Sequence, residues 1–130
     1  MEETNKIKTD LREISILIVE DGAEIIDIMD RTFKMIVKDI YLAKNGKEAL
    51  EQYKRYQPDI VLTDLRMPLL NGANLIKTIR EDDNQTPIIV ISAYKNDLPQ
   101  EEAKLVNAIF EKPIDFLELV HNIDACLQKK

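Results

Sequence analysis

The sequence predicts an α/β fold, in which one doubly wound, five-stranded parallel sheet is surrounded by five helices. Three observations predict it. Short apolar runs, typical of buried parallel strands, alternate five times with longer segments of helical period. Strict alternation favours right-handed crossovers that place helices on both faces of a parallel sheet. The length of 130 residues, 45% of them hydrophobic, fits one domain with one core.

Five apolar runs are the predicted strands, at residues 14–19, 40–43, 59–63, 87–92 and 107–111. Each run is short and is bounded by polar or turn-forming residues, as expected for strands that are buried on both faces. Residues 1–13 are mostly polar, with Ile7 and Leu11 as apolar anchors. We therefore expect an N-terminal extension that is flexible or forms a short helix, followed by a folded domain over residues 14–130.

Each predicted helix follows a strand and carries an apolar stripe or a capping signal. Asn45 and Glu48 resemble a capping box, Pro99 fits the first turn of a short fourth helix, and Asp115 fits the cap of the last. The side chains expected to face the core have helical spacing. They are Ile25, Met29, Phe33 and Ile36; Ala49, Leu50 and Tyr53; Leu75, Ile76 and Ile79; and Phe116, Leu119, Val120, Ile123 and Leu127.

Composition and charge exclude several classes of function. The chain has 24 acidic and 18 basic residues, a formal net charge of −6, and no long block of like charge, so direct binding to nucleic acid or to membrane is not expected. No apolar run reaches membrane-spanning length, and the N-terminus lacks the pattern of a secretory signal. The single cysteine, Cys126, fits a reducing compartment, and we expect a cytoplasmic protein.

Reactive polar residues lie where the predicted strands end: Glu20 and Asp21 after the first, Asp64 after the third, Ser92 closing the fourth, and Lys112 after the fifth. Ligands of doubly wound sheets bind beyond the carboxyl ends of the strands, where the winding reverses. If the strand order is 2-1-3-4-5, the first and third strands are neighbours. Their three carboxylates should then converge and repel one another, by roughly 4 kcal/mol per pair at 4 Å and an effective dielectric near 20. Such a cluster needs a cation, and hard oxygen ligands suit Mg²⁺ or Mn²⁺ better than zinc.

The same residues predict chemistry on a phosphoryl group. A carboxylate beside a bound cation can act as a nucleophile toward phosphorus, and Asp64 is the candidate. Lys112 can pair with one phosphoryl oxygen, and the Ser92 hydroxyl can donate a hydrogen bond to another. Asp64, Ser92 and Lys112 are therefore the candidate catalytic residues.

From residue 14 to residue 130 the chain resembles the receiver domain of two-component response regulators. The matching segments are residues 19–21, 59–68, 71–72, 91–93 and 111–113, in the order and at the spacing of that family. The resemblance implies a flavodoxin-like fold with the strand order 2-1-3-4-5. The function that it implies is a signalling switch that catalyses only its own phosphorylation and dephosphorylation. It also implies that the phosphoryl group comes from a phosphohistidine on a sensor kinase or phosphotransfer protein, and that a downstream protein target, which the sequence leaves unknown, reads the switch.

The resemblance further implies a metal site with a stated set of ligands. Glu20 and Asp21 match the acidic pair that holds Mg²⁺, which Mn²⁺ can replace. Asp64 matches the phosphoacceptor, which is also a metal ligand. The main-chain carbonyl of Arg66 matches the remaining protein ligand.

Ser92 matches the hydroxyl residue that moves toward the phosphoryl group, and Lys112 matches the lysine that pairs with it. The bond between Lys112 and Pro113 is a candidate for a cis peptide. One position departs from the family, because Ile109 stands where a tyrosine or phenylalanine is usual. Phe110 should point to the opposite face of the sheet, so we expect signalling through the fourth helix and its loop, or docking through another face, and no aromatic-ring switch.

Two other functions remain open at this point. One is a pseudo-receiver, which is an interaction module that keeps the fold without phosphorylation, and Ile109 is the feature in its favour. The other is a metal-dependent phosphatase with an aspartyl nucleophile, but such enzymes generally need a second aspartate where this chain has Arg66. The sequence favours a stand-alone protein of chemotaxis type, as a monomer or weak homodimer.

Overall fold

The computed structural model describes residues 7–67 and 69–129, with Lys95 described through its main chain. Residues 1–6 of the predicted N-terminal extension lie outside the described residues, as does Pro68, which belongs to one of the segments that carry the resemblance.

Within the described residues, five strands alternate with five α-helices. The strands are β1 (Ser15–Val19), β2 (Asp39–Ala43), β3 (Ile60–Thr63), β4 (Ile88–Ser92) and β5 (Ala108–Glu111). The helices are α1 (Ala23–Lys34), α2 (Gly46–Tyr56), α3 (Gly72–Asp82), α4 (Gln100–Ala103) and α5 (Phe116–Gln128). Short 3-10 turns lie at Leu11–Glu13 and Lys95–Asp97. Every strand begins within one residue of its predicted start and ends at the predicted residue.

The five strands form one parallel sheet in the order β2-β1-β3-β4-β5, which confirms the predicted topology. Val19 at the end of β1 pairs with Thr63 at the end of β3, and Thr63 pairs with Val90 of β4. The carboxyl ends of β1 and β3 therefore lie side by side. Glu20 and Asp21, which follow β1, therefore lie beside Asp64, which follows β3, at the edge of the sheet where ligands of such folds bind.

Two apolar layers cover the sheet, because alternate residues of each strand point to opposite faces. One layer joins Ile16, Ile18, Ile60, Leu62 and Ile89 to side chains of α1 and α5. The other joins Leu17, Val19, Val61, Ile88 and Val90 to side chains of α2 and α3. Most of these strand residues have no accessible surface, and burial of each aliphatic side chain contributes about 1.5–3 kcal/mol.

The predicted inward face of α1 was wrong at its first position. Ile25 is 36% exposed, and the buried side chain is that of Ile26, followed by Met29 and Phe33. Successive helical positions differ by about 100°. That rotation puts Ile25 at the edge of the stripe centred near Phe33, whereas Ile36 is partly buried as expected.

Helix caps follow the sequence closely. The side-chain oxygen of Asn45 accepts the N–H of Glu48 at 2.7 Å, but the Glu48 carboxylate accepts the N–H of Lys44, one residue before the cap. Asp115 caps α5 by accepting from two main-chain N–H groups. Pro99 is the cap residue of the four-residue α4, one position before the predicted first turn. The predicted inward residues of α2, α3 and α5 all lie in the two apolar layers.

The described part of the N-terminal segment packs against α5. The N–H groups of Lys8 and Thr9 donate to the carboxylate of Asp124 at 3.0 and 2.6 Å, and Leu11 is buried in the first apolar layer. Asp124 is only 5% exposed. Among the described helices, none combines the length and the apolar character that a membrane crossing requires.

Candidate functional site

Three carboxylates converge at the carboxyl ends of β1 and β3. One oxygen from each of Glu20, Asp21 and Asp64 lies within 4.8 Å of the others. Glu20 and Asp64 are buried, whereas Asp21 is exposed. The N–H of Asp64 donates to the carbonyl of Val19 at 3.0 Å, so the pairing of β1 with β3 fixes the distance between the acidic residues.

Main-chain N–H groups orient the two buried carboxylates. Glu20 accepts the N–H of Gly22 at 3.0 Å, and Asp64 accepts the N–H of Leu65 at 2.7 Å. Helix α3 begins directly against this loop, because a Cβ on Gly72 would lie 2.7 Å from the Cα of Leu65. The glycine therefore permits a close approach of α3 to the segment that carries Asp64.

Lys112 bridges the two buried acids. Its Nζ lies 3.0 Å from Oε1 of Glu20 and 3.0 Å from Oδ2 of Asp64. The Lys112 N–H also donates to the carbonyl of Ser92 at 2.8 Å, which fixes the end of β5 against the end of β4. The bond between Lys112 and Pro113 is cis, as predicted.

Burial and charge shift the pKa values of two of these groups. Burial raises the pKa of Glu20, and the hydrogen bonds from Gly22 and Lys112 offset only part of that rise. Burial would lower the pKa of Lys112, but hydrogen bonds to Glu20 and Asp64 more than offset it and the pKa is raised. The lysine is therefore a cation at neutral pH, and it compensates one of the negative charges in the cluster.

The hydroxyl of Ser92 lies at the same edge of the sheet but points into a local turn. It accepts the N–H of Tyr94 and donates to the carbonyl of Tyr94, both at 3.2 Å. Ser92 is 1% exposed. In this arrangement its hydroxyl is held by the Tyr94 main chain, whereas Lys112 contacts the acidic residues directly.

The side chain of Arg66 pairs with Asp97. Its Nε and Nη2 both lie 2.8 Å from one carboxylate oxygen of Asp97, and its guanidinium carbon lies 4.9 Å from the centre of the Tyr94 ring. The contact of Asp97 with Arg66 could not be predicted from the sequence, because the pair spans 31 positions and neither residue belongs to a periodic pattern. The metal role suggested for Arg66 uses its main-chain carbonyl and leaves this side-chain contact free to form.

Ile109 and Phe110 lie on opposite faces of β5. Ile109 packs against the layer of α2 and α3, and Phe110 packs against the layer of α1 and α5. Phe110 therefore does not occupy the position where the family usually has an aromatic ring, as strand alternation predicted.

The donor set fits a hard divalent cation. Three carboxylates within 4.8 Å supply oxygen ligands alone, and two of them are buried where uncompensated negative charge is costly. The raised pKa of Glu20 reflects that cost. A divalent cation held by these oxygens would lower the pKa of Glu20 more than the single ammonium of Lys112 does.

The fold and this edge of the sheet define a class: a doubly wound α/β domain with a cluster of three carboxylates that could hold a metal ion and a lysine beside it. Comparison with known proteins identifies the family. Residues 16–124 match the family model described as response regulator receiver domain, and the chain belongs to this family. Receiver domains are signalling switches of two-component systems and interact with sensor kinases or phosphotransfer proteins.

Curated relatives are longer proteins. The chain is 36% identical over 115 residues to the Regulator of RpoS of Escherichia coli K12. The matched segment is 86% of this chain and 34% of that protein. It is 37% identical over 93 residues to an uncharacterized response regulatory protein of Staphylococcus epidermidis, covering 69% of this chain and 36% of that protein. The chain thus spans about a third of the length of these relatives.

Solved structures share the fold. The receiver domain of the Francisella response regulator 1452 aligns with a TM-score of 0.80 and 26% identity, covering 90% of this chain and 98% of that chain. Response regulator protein TrrA of Thermotoga maritima was solved in complex with Mg²⁺-BeF. Its structure aligns with a TM-score of 0.79 and 24% identity, covering 87% of this chain and 98% of that chain.

Proposed function

We propose that Asp64 accepts a phosphoryl group from a phosphohistidine of a sensor kinase or phosphotransfer protein, and that the modification switches the binding of a downstream protein. The observation that supports this most directly is the setting of the Asp64 carboxylate. It lies 3.0 Å from the ammonium of Lys112 and shares a 4.8 Å cluster with Glu20 and Asp21. A nucleophile, a cation and a set of metal ligands therefore meet at one point.

Mg²⁺ is the cofactor we propose, with Mn²⁺ as a substitute of similar ligand preference. The carboxylates of Glu20, Asp21 and Asp64 and the main-chain carbonyl of Arg66 would hold it. When bound, the ion reduces the repulsion between the acidic cluster and an approaching phosphoryl group. The structure of the T. maritima protein with Mg²⁺-BeF is consistent with such a site in a protein of this fold.

In the transfer step, a carboxylate oxygen of Asp64 forms a bond to phosphorus while the phosphorus–nitrogen bond of the donor breaks. The electron pair of that bond returns to the imidazole of the donor. Lys112 pairs with one phosphoryl oxygen as negative charge develops there. The Ser92 hydroxyl leaves the Tyr94 main chain to donate to another phosphoryl oxygen. Catalysis by the chain itself consists of positioning and charge neutralisation.

Water then attacks the phosphorus of the acyl phosphate, the bond from phosphorus to the Asp64 oxygen breaks, and inorganic phosphate leaves the restored carboxylate. We propose that residues 14–130 act as the receiver, that the chain catalyses only its own phosphorylation and dephosphorylation, and that it works in the cytoplasm as a monomer or weak homodimer. The net charge of −6 argues against direct contact with nucleic acid or with acidic membrane. The partners are therefore proteins.

Intact-mass analysis tests the proposal. The full chain is incubated with phosphoramidate or acetyl phosphate, with and without Mg²⁺, beside Asp64→Ala and the control Asp27→Ala, which removes an exposed acid paired with Arg31. We expect one labile phosphoryl adduct that requires Mg²⁺, persists in the control and is lost in Asp64→Ala. No adduct, even from a phosphohistidine donor protein, would contradict the proposal.

The second candidate is a pseudo-receiver that binds its partner without phosphorylation. The observation in its favour is Ile109, which packs in the second apolar layer where the family usually places a ring. Partner binding that is unchanged by Asp64→Ala and by added phosphodonor would support it.

A further inference from the structure

Asp97 and Tyr94 together hold the guanidinium of Arg66, a cation that lies close to the acidic cluster in sequence. Two nitrogens of Arg66 contact the same oxygen of Asp97 at 2.8 Å, and the guanidinium stacks on the Tyr94 ring at 4.9 Å. The Asp97 N–H also donates to the Tyr94 carbonyl at 3.0 Å. The two residues that hold the guanidinium are therefore fixed to each other.

Arg66 follows Asp64 by two residues, and two residues of chain span at most about 7 Å. A guanidinium at that position is within reach of the carboxylates of the candidate metal site. Those carboxylates attract cations, as the contacts of Lys112 with Glu20 and Asp64 demonstrate. Released from its partners, the Arg66 side chain would be drawn to the same oxygens.

The hydrogen bonds of the described residues nevertheless keep Arg66 apart from the cluster. Glu20 and Asp64 accept from Lys112 and from main-chain N–H groups, and Arg66 donates to Asp97. The side chain of Arg66 is 69% exposed, so no apolar wall confines it. Among the described residues, the contacts that hold the Arg66 guanidinium are those with Asp97 and Tyr94.

We propose that Asp97 and Tyr94 are positioning residues that keep the Arg66 guanidinium off the carboxylates of Glu20, Asp21 and Asp64, leaving that site open to a divalent cation. The inference rests on the proposed function, since it concerns the same metal site. It adds that the strength of metal binding is set partly by an ion pair between two side chains, Arg66 in the loop after β3 and Asp97 on the connection between β4 and α4, neither of which is a ligand.

Three physical roles for Asp97 predict different double-mutant behaviour. If Asp97 restrains Arg66, removal of the Asp97 side chain weakens metal binding only while the Arg66 side chain is present. If Asp97 attracts the metal by its own charge, removal of Asp97 weakens metal binding equally with and without the Arg66 side chain. If the ion pair positions the Arg66 carbonyl, removal of either side chain weakens metal binding alike. A double-mutant cycle separates these roles.

Mg²⁺ binding to the full chain can be followed through the amide NMR shifts of Gly22 and Leu65, whose N–H groups donate to Glu20 and Asp64. The proteins are wild type, Asp97→Ala, Arg66→Ala and the double variant, with Asp27→Ala as a control for the loss of one exposed acid. We expect Asp97→Ala to bind Mg²⁺ about fivefold more weakly, the effect of one competing charge near 4 Å in water. Arg66→Ala keeps the main-chain carbonyl that is the proposed ligand and removes only the guanidinium. This variant and the double variant should therefore both bind Mg²⁺ at least as tightly as wild type.

A fivefold loss that persists when Asp97→Ala is combined with Arg66→Ala would overturn the inference, and so would a matching loss in Arg66→Ala alone. Wild-type affinity in Asp97→Ala would also overturn it while leaving the proposed function intact. A wild-type chain that binds no Mg²⁺ would instead overturn the metal site, and the inference with it. Asp97→Asn, which keeps the shape of the side chain and removes its charge, should reproduce the loss if the ion pair is responsible.

Discussion

The ammonium of Lys112 lies 3.0 Å from the carboxylate of Asp64, and the same nitrogen lies 3.0 Å from the carboxylate of Glu20. One lysine therefore serves two of the three acids that would hold a metal ion. Lys112 reaches this point from the end of β5, across β4, because its main-chain N–H is fixed to the carbonyl of Ser92. The lysine stabilises the cluster and, by the same charge, competes with any divalent cation.

Replacing Lys112 by methionine should separate metal binding from phosphorylation. Loss of the ammonium removes a competing charge, so we expect Mg²⁺ to bind at least about fivefold more tightly, from one unit charge near 4 Å in water. Phosphorylation of Asp64 should nevertheless fall, since no cation remains to pair with the phosphoryl oxygen. Amide NMR titration with Mg²⁺ and intact-mass analysis measure the two effects on the same sample.

Lys34→Met is the matched control for that change, because Lys34 pairs with Asp30 on the surface of α1. It should alter neither Mg²⁺ affinity nor phosphorylation. Unchanged or weaker Mg²⁺ binding in Lys112→Met would mean that the ammonium does not compete for the carboxylates.

Asp124 should contribute to stability through the N-terminal segment. Its buried carboxylate accepts the N–H groups of Lys8 and Thr9 and the side-chain amide of Gln128. Asp124→Ala removes these charge-assisted hydrogen bonds, and we expect a loss of about 2–4 kcal/mol in the free energy of unfolding. Urea denaturation at pH 7 measures it, and Asp27→Ala on the surface of α1 should change stability by less than about 0.5 kcal/mol.

The contribution of Asp124 should depend on pH in a stated direction. Burial would raise the pKa of Asp124, but the hydrogen bonds from Lys8, Thr9 and Gln128 lower it below its usual value. A carboxyl whose folded pKa is lowered contributes stability above its unfolded pKa of about 3.9 and loses it as pH falls through the folded value. The difference between wild type and Asp124→Ala should therefore narrow below about pH 4, and a constant difference would contradict the assignment.

The strands and the polar residues at their ends were predictable because their signals are local, whereas the strand order is that of the flavodoxin-like fold that the resemblance implied. Each strand is a continuous apolar run, and the ends of parallel strands meet at one edge, so Glu20, Asp21 and Asp64 had to converge once β1 and β3 were neighbours. The caps at Asn45 and Asp115 are likewise short-range patterns that the structure reproduces.

Other features depend on contacts between distant parts of the chain. Asp97 meets Arg66 only after both connecting loops are placed, and Asp124 meets Thr9 across 115 positions. On α1, Ile25 and Ile26 both fit the helical period, and only packing against the sheet decides which is buried. Such contacts leave no periodic trace in a single sequence.

Gly46→Ala should destabilise the fold although alanine favours helices. Gly46 is the first residue of α2, and a Cβ there would overlap the main-chain carbonyl of Leu70 in the loop before α3. Because a backbone atom cannot move aside as a side chain can, we expect a loss of about 1–3 kcal/mol in the free energy of unfolding. Gly22→Ala is the contrast, since its Cβ would lie 3.2 Å from a side-chain oxygen of Glu20, and its nearest neighbours are all side-chain atoms. Equal stability losses in the two variants would contradict the steric argument.

Tyr53→Phe should reveal a hydrogen bond between α2 and the end of α3. The Tyr53 hydroxyl donates to the Asp83 carboxylate, which also accepts from Thr86. Burial and the bond to Asp83 raise the pKa of Tyr53 to about 12. Loss of the hydroxyl should cost about 1–2 kcal/mol at pH 8 by urea denaturation. Tyr56→Phe, at an exposed ring that stacks on Tyr41, should cost less than about 0.5 kcal/mol.

The raised pKa of Tyr53 also determines how the loss of stability in Tyr53→Phe varies with pH. A group whose folded pKa exceeds its unfolded value of about 10 contributes stability below pH 10 and loses it as pH rises toward 12. The difference between wild type and Tyr53→Phe should therefore stay constant from pH 7 to pH 9 and shrink at pH 11. In a spectrophotometric titration of the folded chain, the tyrosine that ionises near pH 12 should be absent from Tyr53→Phe. If Tyr56→Phe removes that ionisation instead, the pKa near 12 does not belong to Tyr53, and the hydrogen bond to Asp83 does not raise it.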